Sequence, residues 1–315
     1  MNQGFKVAQA ARRLQSHIIK TPLVEIEALS ECTGKRVFVK LESLQRTGAF
    51  KFRGAMNYML TLAQDEADKG VITASSGNHG LGMSLAGMLR GLSCTVVMPE
   101  SAPEVKQRRA RQYGATVILA GTCYDEAQEH AKLLAAERSL TYVPSFNHPA
   151  IIAGQGTILK EIMEELPDTE VVLAPVGGGG LISGLLLARE EYGFSPALVG
   201  VEPVNAACMQ ASVANGKLTT LSHMSTVADG VAVRTPGDLN FAMVERFNPQ
   251  LVQVSDASIL AAQKFLLQEA KLIVETAGAV PVAALLSGLL QTEAKTIVCV
   301  VSGANLDLSY LRDMI

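Results

Sequence analysis

The sequence predicts an α/β protein in which mainly parallel sheets are flanked by helices. Three observations carry this expectation. Short, nearly continuous apolar runs alternate with stretches of helical periodicity, the pattern of parallel strands covered on both faces. Several runs open at their carboxyl ends into clusters of glycine and hydroxyl residues, and ligands collect outside the carboxyl ends of strands in such sheets. Pro144 and Pro149 cluster beside Phe146–Gly156, which reads as a crossover of the chain between two lobes.

Taken in order, the chain opens on an amphipathic helix rather than a signal peptide. Val7, Ala10, Ala11, Leu14 and Ile18 recur at helical spacing, interrupted by Arg12, Arg13 and Gln15. Thr21-Pro22 stops it, because the residue before a proline is pushed out of the helical region. Strands are expected at Val37–Leu41, Val71–Ala74, Ser93–Met98, Thr116–Leu119, Thr141–Val143, Glu170–Pro175, Ala197–Val201, Leu251–Val254 and Thr296–Val301. Helical patterns fill most gaps, among them Gly54–Ala67, Gly80–Leu89, Glu104–Tyr113, Asp125–Arg138, Gly154–Glu165 and Ala257–Glu269. These strands fit one sheet or two.

Composition narrows the partners. The chain has 315 residues, enough for one large or two medium domains with a proper core. A net charge of -3 gives no basis for a nucleic-acid or anionic-membrane partner, and the absence of tryptophan removes the best stacking platform for bases. No apolar run reaches the ~20 residues that a membrane span needs. Cys32, Cys94, Cys123, Cys208 and Cys299 are scattered, odd in number and never in a C-x-x-C pair. That argues against a disulfide framework or a zinc site and for a reducing cytoplasm.

Lys51 is the first candidate for chemistry. It lies between Phe50 and Phe52, within a group bounded by Gly48 and Gly54. A lysine in water titrates near ~10.4 and is a poor nucleophile. Apolar neighbours that exclude water release the neutral amine, as a Schiff-base lysine requires. The plain alternative is a helix-entry lysine whose stem packs on Phe50 while its charge reaches solvent.

Three strand ends supply the other candidates. Val71–Ala74 runs into Ser75-Ser76-Gly77-Asn78-His79-Gly80, a polar start to a helix whose free N–H groups suit a carboxylate. Simple capping accounts for one serine there, and His79 by itself reads as structural. Glu170–Pro175 runs into Val176 and then Gly177, Gly178, Gly179, Gly180 and Leu181. Consecutive glycines let backbone approach a ligand, and their N–H groups with a helix start form a phosphate cradle. No G-K-[ST] follows, and the G-x-G-x-x-G pattern fails at Ser183. Glu202 nevertheless stands about twenty residues on, where a ribose-binding acid would lie, so a nicotinamide-binding oxidoreductase is the rival class. Thr296–Val301 opens into Ser302-Gly303-Ala304-Asn305, where Ser302 faces a ligand crevice or caps the next turn.

With these segments in order, the chain resembles, nearly end to end, the second fold type of pyridoxal-phosphate enzymes (tryptophan synthase beta-like). Within it the resemblance is to the threonine/serine dehydratase and serine racemase group. It is carried by Lys40-Leu41-Glu42-Ser43-Leu44-Gln45-Arg46-Thr47-Gly48 leading into Phe50-Lys51-Phe52-Arg53-Gly54-Ala55, by Ser75 to Gly80, by Gly177 to Leu181, and by Ser302 to Asn305. The resemblance implies two lobes: 1–52 with 146–315 as a large cofactor-binding domain, and 53–145 as a small one. It implies pyridoxal 5'-phosphate tied to Lys51, with Phe50 on the pyridine ring and Asn78 on the ring hydroxyl. Gly177 to Gly180 and Leu181 would hold the phosphate, and Ser302 would meet the ring nitrogen. Gly230 and Glu275 would border the cofactor. Ser75, Ser76, Gly77, Asn78 and His79 would line the substrate carboxylate.

A neutral hydroxyl at the ring nitrogen cannot hold a proton there as an aspartate can, so the ring is a weaker electron sink and a β-hydroxyl is expelled instead. The expected reaction is β-elimination from L-threonine to 2-oxobutyrate, or from L-serine to pyruvate, with ammonia released. A serine or aspartate racemase, with Ser76 as second acid/base, and a 3-hydroxyaspartate dehydratase are the alternatives on the same scaffold. Departures from the family pattern are Ala49 for a serine, Ala304 for a glycine, and Thr276 after Glu275. The racemases' divalent-metal site uses acids at the positions of Glu202 and Cys208. With a thiol at the second, no metal is expected, and Glu202 reads as an ordinary loop acid. The end of the chain at Ile315 fits the short catabolic type, and a homodimer or homotetramer is the family expectation.

Overall fold

The computed structural model describes residues 6–102 and 104–307. In chain order its helices are α1 (Val7–Leu14), α2 (Glu27–Thr33), α3 (Lys51–Thr61), α4 (Gln64–Lys69), α5 (Asn78–Arg90), α6 (Glu104–Gln112), α7 (Tyr124–Glu137), α8 (Pro149–Glu165), α9 (Gly180–Tyr192), α10 (Cys208–Asn215), α11 (Asp238–Phe247), α12 (Asp256–Gln268) and α13 (Thr276–Leu286). Its strands are β1 (Leu23–Glu25), β2 (Arg36–Leu41), β3 (Val71–Ala74), β4 (Cys94–Met98), β5 (Thr116–Leu119), β6 (Thr141–Tyr142), β7 (Val171–Pro175), β8 (Ala197–Pro203), β9 (Gln250–Val254) and β10 (Thr296–Val301).

The strands form two sheets. Six take the order β1-β2-β10-β7-β8-β9 and four take the order β5-β4-β3-β6. Every pairing is parallel except β1 with β2. Central strands β3, β7 and β10 are buried at every residue, as strands covered on both faces must be. One face of the larger sheet packs on α2, α12 and α13, and the other on α1, α8, α9 and α11. The smaller sheet has α7 on one side and the layer of α3, α5 and α6 on the other.

The differences from the sequence reading have local causes. β1 is a three-residue edge strand, too short to show alternation, and it pairs antiparallel to β2. The helix expected over Gly54–Ala67 is two helices, because Leu62 and Ala63 are extended and Glu66 caps the Ala63 N–H at 3.0 Å. The segment Phe146–Gly156, read as a crossover, becomes α8 from Pro149 onward, with the proline in the first turn where its missing N–H costs nothing. Helices α2, α10, α11 and α13 were not among the helices expected; α13 is alanine-rich and apolar all round, so no face stands out.

Candidate active site

The four segments singled out in the sequence meet where the carboxyl ends of the two sheets approach each other. Phe50 N–H donates to the Ser302 carbonyl at 3.0 Å, and Ala49 bridges Gly303, so the entry to α3 is sewn to the end of β10. Lys51 is the first residue of α3. Its amine donates to the Ser145 carbonyl at 3.0 Å and lies 5.4 Å from the Phe50 ring centroid and 5.8 Å from that of Phe146. Burial pushes the ammonium down to about 8, against a smaller upward pull from Glu275.

Asn78 opens α5 and ties the small sheet to the large one. Its amide donates to Glu275 Oε1 at 2.7 Å, and its carbonyl accepts from Asn305 Nδ2 at 2.8 Å. Glu275, at the cap of α13, is pushed up to about 7 by burial and by Asp229. Gly303 lies so close that an added Cβ would sit 2.4 Å from Glu275 Oε1. Gly230, in a short 3-10 turn, is exposed; an added Cβ there would sit 2.8 Å from the Ala277 Cβ and 3.5 Å from Glu275 Oε1. Ser75 is buried and its hydroxyl accepts the Gly77 N–H at 3.2 Å, an intraloop bond, while Ser76 and Gly77 are half-buried. The His79 ring is buried. Burial, with Lys51 nearby, pushes it down to about 3, so it is a neutral imidazole rather than a base.

Gly177 to Gly180 run from the end of β7 into α9, with Gly179 in the left-handed region at φ 93°. Protein packs against their Cα atoms on one side: Val231 at Gly177, the Phe146 ring at Gly178, Met209 and Asn240 at Gly179, and Phe146 again at Gly180. Leu181 follows in the first turn of α9, its side chain buried in the core. Ser302 is buried at the end of β10.

Glu202 is not an ordinary loop acid. It is fully buried, and its two oxygens accept the Met209 and Gln210 N–H groups at 2.9 Å each, capping α10. Burial pushes it up to about 7. Each of its oxygens thus serves the start of α10. Cys208 is pushed up to about 12 by burial and by Glu202, and its thiol faces the Gly177 carbonyl at 3.7 Å. Among the described residues, no three His, Cys, Asp or Glu side chains gather as a metal site.

Sequence reasoning missed the segment Ser145–Phe146–Asn147, which is the hub of the site. Ser145 holds Lys51 and Phe146 backs the glycine run. Asn147 anchors the start of α11, donating to Asp238 at 2.6 Å and accepting from the Leu239 N–H at 3.2 Å. It missed Asn240 as well. Neither has a spacing signal, because both act across the fold rather than along the chain.

Residues 14–303 match the family described as pyridoxal-phosphate dependent enzyme. The chain is 42% identical over 309 residues to an L-threonine ammonia-lyase of Thermotoga maritima, covering 98% of this chain and 77% of that protein. Among solved structures it is similar to the processed form of threonine deaminase isoform 2 from Solanum lycopersicum, with a TM-score of 0.91, 39% identity and coverage of 98% and 92%. It is also similar to maize serine racemase, with a TM-score of 0.93, 33% identity and coverage of 98% and 94%.

Proposed function

The chain belongs to the pyridoxal-phosphate dependent enzymes, and from that membership we propose that it is a dehydratase (ammonia-lyase) of hydroxy amino acids. It converts L-threonine to 2-oxobutyrate, and L-serine to pyruvate, releasing ammonia. Similarity to threonine ammonia-lyases supports the first substrate, and the β-hydroxyl that serine shares supports the second.

The observation that carries the reading is half-buried Lys51: its amine is lowered to about 8 by desolvation and lies near the Phe50 and Phe146 rings, and Phe146 backs a run of glycines. These residues fit pyridoxal 5'-phosphate. An amine near neutrality meets the aldehyde, and N–H groups at the start of a helix meet the phosphate. When bound, the cofactor draws off the electron pair left at the substrate Cα. Lys51 Nζ takes the Cα proton. The Gly177 to Gly180 and Leu181 N–H groups would bind the phosphate, Asn78 would orient the ring hydroxyl, and Gly230 and Glu275 would flank the ring. Ser302 would offer the ring nitrogen a hydroxyl rather than an acid, which would favour loss of the β-hydroxyl as water. Ser75, Ser76 and Gly77, with Asn78 and His79 opening α5, would orient the substrate carboxylate. Phe50 and Phe146 exclude water from the amine.

Racemization of serine is the second reading, supported by the likeness to maize serine racemase and by half-buried Ser76 one residue before Gly77-Asn78. The deciding experiment incubates the holoenzyme with L-threonine, L-serine and 3-hydroxyaspartate and follows oxo acid and D-serine together. Oxo acid from threonine is expected to dominate. D-serine accumulating faster than pyruvate would overturn the assignment.

The division into 1–52 with 146–315, and 53–145, is supported by the separate membership of the two sheets. We infer a homodimer or homotetramer of the cytoplasm, whose reducing conditions the five free cysteines suit. No described helix is long and apolar enough to cross a membrane.

A further inference from the structure

We propose that Asn240 is a positioning residue for the cofactor phosphate: it turns the Gly178 carbonyl away from the cradle and thereby aims the Gly179 N–H into it. The inference rests on the reading of the glycine run as the phosphate site. A peptide unit is planar and its C=O and N–H point in opposite directions, so fixing one fixes the other. The Gly178 carbonyl accepts Asn240 Nδ2 at 2.8 Å and the Gly237 N–H at 3.1 Å. The carbonyl of the preceding peptide, that of Gly177, faces the Cys208 thiol at 3.7 Å. Glycines have no Cβ to resist peptide rotation, so the restraint must come from outside the loop.

Asn240 suits this task. It is fully buried in the first turn of α11, and its second contact is the Phe146 carbonyl at 3.4 Å. Two carbonyl neighbours fix which end of the amide is the donor. Its Oδ1 is left without a partner inside the protein, a cost tolerated for the sake of the donor end. Asn240 thus joins the Phe146 backbone to the glycine run, one hydrogen bond behind the phosphate.

The test compares two probes, pyridoxal 5'-phosphate and pyridoxal, on the cofactor-free full chain. Wild type is expected to bind the phosphorylated form more tightly. Asn240→Leu, which keeps the branching at Cγ, and Asn240→Ala should each weaken binding of the phosphorylated form by about tenfold, the worth of one buried hydrogen bond. Both should leave pyridoxal binding unchanged. Equal loss for both probes would mark Asn240 as merely structural and overturn the inference. A wild type that binds the two probes equally would instead overturn the phosphate reading beneath it. Hydrogen exchange on wild type needs no folded variant. The phosphorylated form, compared with pyridoxal, should protect peptides spanning 177–181 and 237–241 together. Protection of 177–181 alone would overturn the inference.

Discussion

The Lys51 amine and the Ser145 carbonyl are joined by a 3.0 Å hydrogen bond inside a slot walled by the Phe50 and Phe146 rings. The bond aims the amine, and desolvation by burial, not the bond, lowers the ammonium to about 8. Attack on an aldehyde needs the lone pair. The rate at which cofactor-free protein captures pyridoxal phosphate, read as adduct fixed by borohydride on Lys51, should therefore rise with pH. At about pH 7, one unit below the midpoint, it should be roughly a tenth of its plateau, and it should level above about pH 9. A rate flat across that range would contradict the placement.

Glu275 makes the opposite contribution. Its acid is raised to about 7, so above that pH it is a carboxylate that favours the Lys51 ammonium. Glu275→Gln keeps an oxygen for the Asn78 amide but removes the charge. The midpoint of the capture profile should move to lower pH, because the remaining influence on Lys51 is burial. An upward move would show that the two groups are not coupled as described.

Much of this was legible in the sequence because it is local. The apolar runs at Val71–Ala74 and Thr296–Val301 are strands since both their faces are buried, and Gly177 to Gly180 announce a backbone that must be approached closely. Glu202 was misjudged because its partners, the N–H groups of Met209 and Gln210, belong to a helix with almost no amphipathic signal. Phe146 and Asn240 were invisible for a related reason. Their importance comes from touching the glycine run across more than thirty residues of chain, and no spacing encodes a contact of that kind.

Two residues beyond Lys51, Arg53 sits with no exposed surface between Glu42 and Glu161, and Lys40 bonds Glu161 at 2.7 Å. Burial opposes its charge, but the two glutamates hold Arg53 above its ordinary range. Two cations thus face two carboxylates. Arg53→Met leaves Lys40 against both acids in a dry interior. Breaking such a network by removing one partner costs about 3–5 kcal/mol. Urea unfolding at constant slope should show a fall of that order, and a change below about 1 kcal/mol would mean that water reaches the site.

Gly178 and Phe146 should prove coupled. A Cβ on Gly178 would stand 2.5 Å from the Phe146 ring, which real contacts do not allow, so Gly178→Ala must displace either the ring or the cradle. Moving the cradle misaims its N–H groups; moving the ring opens the Lys51 slot to water. Gly178→Ala alone should therefore weaken cofactor binding by at least about tenfold, and Phe146→Leu, which shortens the side chain, by less. Combined, Phe146→Leu gives the added methyl room, so the double variant should bind better than Gly178→Ala alone. Equilibrium binding in a double-mutant cycle reads this directly, since residues in contact are expected to couple by about 0.5–3 kcal/mol. Losses that simply add would place Phe146 outside the phosphate cradle.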